Sequence, residues 1–227
     1  MIYRDIGKTG KKASVIGLGC EHLDRKPAEQ VNETIRAALE GGVNYMDVFM
    51  PGKEVRENIA AALGSERKNV YLQGHIGSTD VRRQYDISRD MDTVRKYFED
   101  FLRIFGYADF GMLFFVDSMK DYKAVFDGGL ADYALKLKEK GDIGHIGFSA
   151  HNPITAAKVI ETGLVDVMMF SVNLAFDLCP ADVDVLDAMG EGDLAKTLSR
   201  PDPDRAALYA LCERKGAGIS VMKPLGA

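Results

Sequence analysis

Short apolar runs punctuate the chain at 15–18, 44–46, 70–72, 112–116, 145–148, 167–170 and 219–222. They are apolar on both faces, the pattern of parallel strands covered on either side. Longer amphipathic stretches separate them. Pro27 opens one, with Val31, Ile35, Ala38 and Leu39 on one face before Gly41 and Gly42. Val55, Ile59 and Leu63 mark a second ahead of Gly64, and Val94, Phe98, Phe101, Leu102 and Phe105 a third ahead of Gly106. Tyr133, Leu137 and Gly141 close a fourth, Ile160, Gly163 and Leu164 a fifth, and Leu208, Leu211 and Gly216 a sixth. Glycine just past the last apolar turn reaches the left-handed conformation that lets a chain reverse into its next strand.

Strand-then-helix alternation demands right-handed crossovers and a parallel sheet. The rhythm predicts an α/β fold, a (β/α)8 TIM barrel, over an open doubly wound sheet, because no G-x-G-x-x-G opens a helix near the start. Residues 1–227 read as a single domain that ends after strand seven, without an eighth strand–helix unit. Segments 2–6 and 12–15, flanking Gly7-Lys8-Thr9-Gly10, predict an N-terminal hairpin that plugs the barrel floor. Connections 77–92 and 174–204 are long and polar. Loops at strand C-termini form the active face of this architecture, so both are places for a lid, the alternative being plain surface excursions.

Composition narrows the partners. A hydrophobic share of 46% and a charged share of 28% are those of a globular chain. A formal charge of −5 leaves no basic excess to neutralise nucleic-acid phosphates or an anionic membrane. Cys20, Cys179 and Cys212 are odd in number, far apart and without metal-ligand spacing, which fits a reduced, cytoplasmic protein. No apolar run approaches signal-peptide or membrane-span length.

Five collinear motifs then carry a resemblance. Tyr3-Arg4-Asp5-Ile6-Gly7-Lys8-Thr9-Gly10, Gly17-Leu18-Gly19-Cys20, Gly42-Val43-Asn44-Tyr45-Met46-Asp47, Gly144-His145-Ile146-Gly147-Phe148-Ser149 and Val221-Met222-Lys223-Pro224-Leu225-Gly226 are similar to aldo-keto reductases over essentially the whole chain. Phe49-Met50-Pro51-Gly52, Gln73-Gly74-His75-Ile76-Gly77-Ser78 and Ser149-Ala150-His151-Asn152-Pro153 resemble more narrowly a bacterial branch of predicted reductases. Members of that branch usually continue into a ferredoxin-like tail, so the resemblance implies an iron–sulfur cluster only if such a tail exists beyond Ala227. The implied activity is oxidoreduction of a small-molecule carbonyl with NADP(H) or NAD(H), in which a Tyr donates the proton, a Lys and an Asp tune it and a His orients the substrate. That division of labour is sound chemistry, because a hydride arriving at a carbonyl builds negative charge that needs a nearby acid.

Carried over residue by residue, the tetrad is degenerate. The Asp is kept as Asp47; the Tyr position falls at Pro51-Gly52, the Lys position at His75, and the His position at Phe114, or in a shifted register at Val116 or Asp117. Asp47 and His75 end neighbouring strands and are the catalytic candidates: a carboxylate beside an imidazole favours imidazolium, a competent acid near neutral pH. The competing reading is an inherited ion pair in a dead site. For the cofactor the resemblance implies Gly19 and Cys20 after strand one, Ser149 after strand five, and Lys223, Pro224 and Leu225 after strand seven. His151 or Asn152 would replace an Asn that is Ala150 here, and the strand-six Gln position is Met169. Ordinary strand-end capping is the plainer account of these. A divalent metal held by Asp47, His75, Asp117 or Glu21 is a rival for the same atoms, but no spaced ligand motif supports it, and no metal is expected. His22 and His145 read as surface or strand residues. The alternatives to a reductase are a non-catalytic barrel that binds a ligand or partner, and a fragment of a larger iron–sulfur redox protein. Open edges on strands one and seven would favour association into a homo-oligomer.

Overall fold

The computed structural model describes residues 1–82, 85–173 and 202–225. Two antiparallel strands, β1 (Tyr3–Asp5) and β2 (Lys12–Ser14), open the chain. Strand β3 (Leu18–Gly19), helix α1 (Ala28–Glu40), strand β4 (Tyr45–Val48), helix α2 (Lys53–Leu63) and strand β5 (Tyr71–Ile76) follow. A small antiparallel hairpin, β6 (Ser78–Thr79) and β7 (Asp86–Ile87), precedes α3 (Met91–Phe105). Next come β8 (Ala108–Leu113), α4 (Met119–Phe126), α5 (Leu130–Lys140), β9 (Ile143–Ala150), α6 (Pro153–Glu161), β10 (Val167–Ser171), α7 (Pro203–Lys215) and β11 (Gly218–Met222).

Seven of these strands make one parallel sheet in the order β11-β10-β9-β8-β5-β4-β3. The sheet curls: Ser220 on β11 donates to Gln73 Oε1 on β5 at 3.5 Å, across the interior. Among the described residues it is a curled seven-stranded sheet with edges at β3 and β11, not a completed eight-stranded barrel.

Two-residue alternation sorts the strand side chains. Met46, Leu72, Ile146, Phe148, Met168 and Phe170 point outward into the layer shared with the helices. Tyr45, Phe110, Met112 and Val167 point inward and meet Ile6 and Ala13 from the N-terminal hairpin. Lys8 N–H donates to Gly216 O at 2.9 Å. The hairpin therefore closes the floor, as the sequence predicts.

Three departures have local causes. Strand β8 begins at Ala108 and stops at Leu113, although the apolar run lies at 112–116. Asp109 interrupts the pattern, its carboxylate accepting from Arg67 Nη1 and Leu72 N–H, both at 3.0 Å. Phe115 then leaves the strand with φ 56°. Val15 and Ile16 are exposed and outside β3, because Ser14 Oγ donates to Ile16 O and turns the chain there. Helix α4, unforeseen in the pattern, starts on a capping box between Ser118 and Asp121.

Gly74 shows how closely the outer layer packs. A Cβ there would lie 2.7 Å from Phe101 Cζ, and Phe101 is stacked on Phe98. Gly74→Val is expected to destabilise the fold by about 1–3 kcal/mol through overpacking, read as a lower urea midpoint at unchanged slope. An unchanged midpoint would show that α3 does not seat on this strand.

Candidate active site

The inward alternation that puts Tyr45 on the floor puts Asp47, two residues on, at the mouth. By the same period Gln73 leads to His75, Met112 to Phe114, Gly147 to Ser149 and Met169 to Ser171. Parallel β4 and β5 then bring the first two together: His75 Nε2 lies 2.7 Å from Asp47 Oδ1, with His75 only 3% exposed. An ionised carboxylate accepts, so Nε2 carries the hydrogen and Nδ1 is left buried and without a hydrogen-bond partner among the described residues.

Aromatic rings wall this couple. Phe114 stands at right angles to the His75 ring with centroids 5.3 Å apart, and Phe49 does the same at 6.0 Å. Tyr85, from the β6–β7 turn, tilts against Phe49 at 5.1 Å. Phe49 is fixed by its backbone: Ser78 Oγ donates to its carbonyl at 2.6 Å. The next carbonyl, Met50 O, accepts from Arg56 Nε at 2.8 Å. Burial pushes the Arg56 guanidinium down to about 10, against Asp100 and Asp80 which act to raise it. Pro51 is buried, and neither Pro51 nor Gly52 has a side-chain donor.

A second imidazole–carboxylate couple lies at the ends of β8 and β9. Asp117 Oδ2 sits 2.7 Å from His151 Nδ1, while Oδ1 accepts the His151 backbone N–H. His151 O accepts from Arg205 Nη2 at 3.2 Å, so the residue is held at both backbone groups and one ring nitrogen. The two couples have opposite polarity, since Asp47 grips Nε2 and Asp117 grips Nδ1.

The remaining expected residues separate. Gly19, registered beside Asp47, faces open space: a Cβ there would meet nothing within 4 Å. Cys20 turns the other way into the outer core, where burial, with Asp47 adding to it, pushes its thiol far up; only its backbone, whose N–H donates to Asp47 O, belongs to the mouth. Ser149 Oγ accepts Phe115 N–H at 2.9 Å and keeps its own hydrogen to donate. Asn152 caps α6, accepting Thr155 N–H at 3.0 Å. Lys223 lies at the end of β11 with its carbonyl bound by Asn173, and Pro224 and Leu225 are exposed. Glu21 and His22 are exposed in a 3-10 turn after β3. No three His, Cys, Asp or Glu converge as a metal site among the described residues. Most of the 174–204 connection, with Cys179, lies outside the described residues.

Backbone strain marks the same face. Among the described residues, the non-glycine positions with positive φ are Arg25, Tyr85, Phe115 and Lys223, all in loops after strand C-termini. Bulky side chains avoid that conformation, and such strain gathers where structure serves a site. The sequence reading missed the arginines at this rim, Arg56, Arg89 and Arg205. Their one signal is charge in or beside helices whose neighbours are apolar.

A family model for the aldo/keto reductase family matches residues 15–187. The chain belongs to the aldo/keto reductase family. Among solved structures it is similar to a Pseudomonas aeruginosa protein assigned to the aldo-keto reductases, with a TM-score of 0.77 and 17% identity over 100% of this chain and 79% of that one. It is also similar to an aldo-keto reductase from Bacillus halodurans in its holo form, with a TM-score of 0.71 and 16% identity over 97% of this chain and 65% of that one. A third, an aldo/keto reductase from Brucella melitensis, has a TM-score of 0.63 and 15% identity over 98% and 72% of the two chains. These likenesses establish the fold, and family membership points to oxidoreduction. No curated protein matches the chain. No helix among the described residues is long and apolar enough to cross a membrane.

His145 belongs to a third couple, on the floor. Asp166 Oδ2 is 3.2 Å from its Nδ1 and 3.0 Å from Lys138 Nζ. Burial would raise the Asp166 carboxyl, but hydrogen bonds from His145 and Lys138 outweigh it and hold it at about 2, below its usual 3.8. A depressed carboxyl contributes stability that is complete above the unfolded value and is lost as pH falls through the folded one. Wild type should therefore exceed Asp166→Asn in stability just above pH 3.8, and that margin should shrink as pH falls toward 2. Urea midpoints taken across that window check it; a margin independent of pH would mean the carboxylate is not so held.

Proposed function

We propose that the chain reduces a small-molecule carbonyl with a nicotinamide cofactor, His75 donating the proton and Asp47 orienting it. The observation that carries this reading is the His75 ring itself: one nitrogen is bound to Asp47 at 2.7 Å and the other is buried and, among the described residues, without a hydrogen-bond partner. An orphaned buried polar atom costs about 1–3 kcal/mol, which a ligand's oxygen would recover.

The mouth also fits the cofactor's head group. Ser171 Oγ is fully buried without a partner and Ser149 has a hydrogen to give, both inward at neighbouring strand ends. A carboxamide offers the matching donor and acceptor atoms, and Gly19 leaves room beside Asp47. Ser149, Ser171 and the Gly19–Cys20 backbone would hold it, with His151 Nε2 at the rim and Lys223, Pro224 and Leu225 after β11 toward the phosphates.

When bound, the reduced nicotinamide supplies a hydride to the carbonyl carbon. As the C=O π pair moves onto oxygen, doubly protonated His75 gives that oxygen its Nδ1 hydrogen, which leaves a neutral ring. Asp47 stays ionised throughout and keeps Nε2–H as its donor, so the ring cannot rotate away. Phe49 and Phe114 exclude water from the transfer, which strengthens every polar interaction inside. NADP(H) and NAD(H) are both compatible with this head-group site.

His75→Asn and Asp47→Asn should each lower turnover of a panel of small aldehydes and ketones roughly 100-fold or more. NADPH fluorescence titration should give a dissociation constant within about twofold of wild type, since neither residue holds the cofactor. Turnover retained in His75→Asn would refute the assignment. The absence of any phenol at Pro51-Gly52 favours a second reading, a ligand-binding barrel without catalysis; cofactor binding with no turnover of any carbonyl by wild type would decide for it.

A further inference from the structure

Contacts to both mouth imidazoles start from two consecutive residues. Phe114 stands edge-on to the His75 ring at 5.3 Å; Phe115 tilts its ring against His151 at 5.2 Å and gives its N–H to Ser149 Oγ. Phe115 holds φ 56°, a conformation that a bulky aromatic adopts only when its surroundings impose it.

Arg89 supplies that imposition. It sits after the β6–β7 hairpin and reaches across to the end of β8. Its Nη1 donates to Phe114 O at 2.9 Å and its Nη2 to Phe115 O at 2.7 Å, with Asp121 Oδ1 at 3.6 Å as counter-charge. The planar fork of a guanidinium matches two successive carbonyls, which the single ammonium of lysine cannot do. The polar stretch 77–92 is thus an anchor for the neighbouring strand end.

We infer that Arg89 is a positioning residue for this site: by pinning the Phe114–Phe115 turn it sets the orientation of His75, His151 and Ser149 together. It touches neither substrate nor cofactor. Its effect on turnover rests on the reading of His75 as proton donor; its effect on the rings does not.

Protein labelled with 15N in histidine alone reports the four imidazoles separately. In Arg89→Lys and Arg89→Met the His75 and His151 ring resonances should move and titrate differently, while those of His22 and His145 stay in place. Turnover should fall by about tenfold or more, because misplacement of a reacting group acts on the chemical step, and the KM for NADPH should rise with it, since Ser149 is among the residues that would hold the head group. Arg89→Lys keeps a charge against Asp121 and carries the comparison if Arg89→Met does not fold. Wild-type His75 and His151 resonances in folded Arg89→Lys would overturn the inference, and so would movement of all four rings together, which marks a role in the fold at large. A wild-type protein without turnover would remove the reduction reading and leave the ring comparison standing.

Discussion

Carbonyl oxygens at the end of a parallel sheet outrun their neighbouring strands and must find donors elsewhere. Three arginines meet that need here. Arg56 takes Met50 O after β4 and ties it to Tyr97 O in α3, Arg89 takes Phe114 O and Phe115 O, and Arg205 takes Ser171 O and His151 O. Arg56 and Arg205 are almost wholly buried and lie over the rings of Phe101 and Phe170. A buried cation is tolerable only when its hydrogen bonds are made, so each guanidinium fixes the loop it grips as firmly as the loop fixes it. The shape of the mouth follows from these bonds.

That rim explains how the Asp47–His75 couple can exist at all. Neither residue could be buried alone without a large desolvation penalty; paired at 2.7 Å on adjacent strands, they satisfy one another on one side. Register does the pairing: Asp47 stands opposite Gln73, so His75 lies one inward step higher on the same face. Phe49 and Phe114 are held by backbone, through Ser78, Arg56 and Arg89, and so keep their place without depending on their own packing.

Much of this was legible in the sequence because it depends on period. Alternating apolar runs and glycine stops located the seven parallel strands and six of the helices, and the family motifs fell on strand ends. The approach of Asp47 to His75 was readable for the same reason, since both terminate consecutive strands. What escaped was set by single polar contacts. Asp109 moved β8 four residues earlier by taking donors from Arg67 and Leu72. The 77–92 stretch read as a long polar connection with room for a lid, because two-residue strands leave no periodic trace, yet it delivers Arg89. Asn152 looked free to bind a ligand until α6 claimed its side chain. Composition and spacing do not encode which donor a given carbonyl will find.

The hairpin at the other end has its own consequence. With Ile6 and Ala13 wedged among Tyr45, Phe110, Met112 and Val167, the hairpin closes the end of the interior away from the Asp47–His75 mouth. A ligand in the mouth would then come and go on the loop side or past the open edges at β3 and β11, never by way of the hairpin.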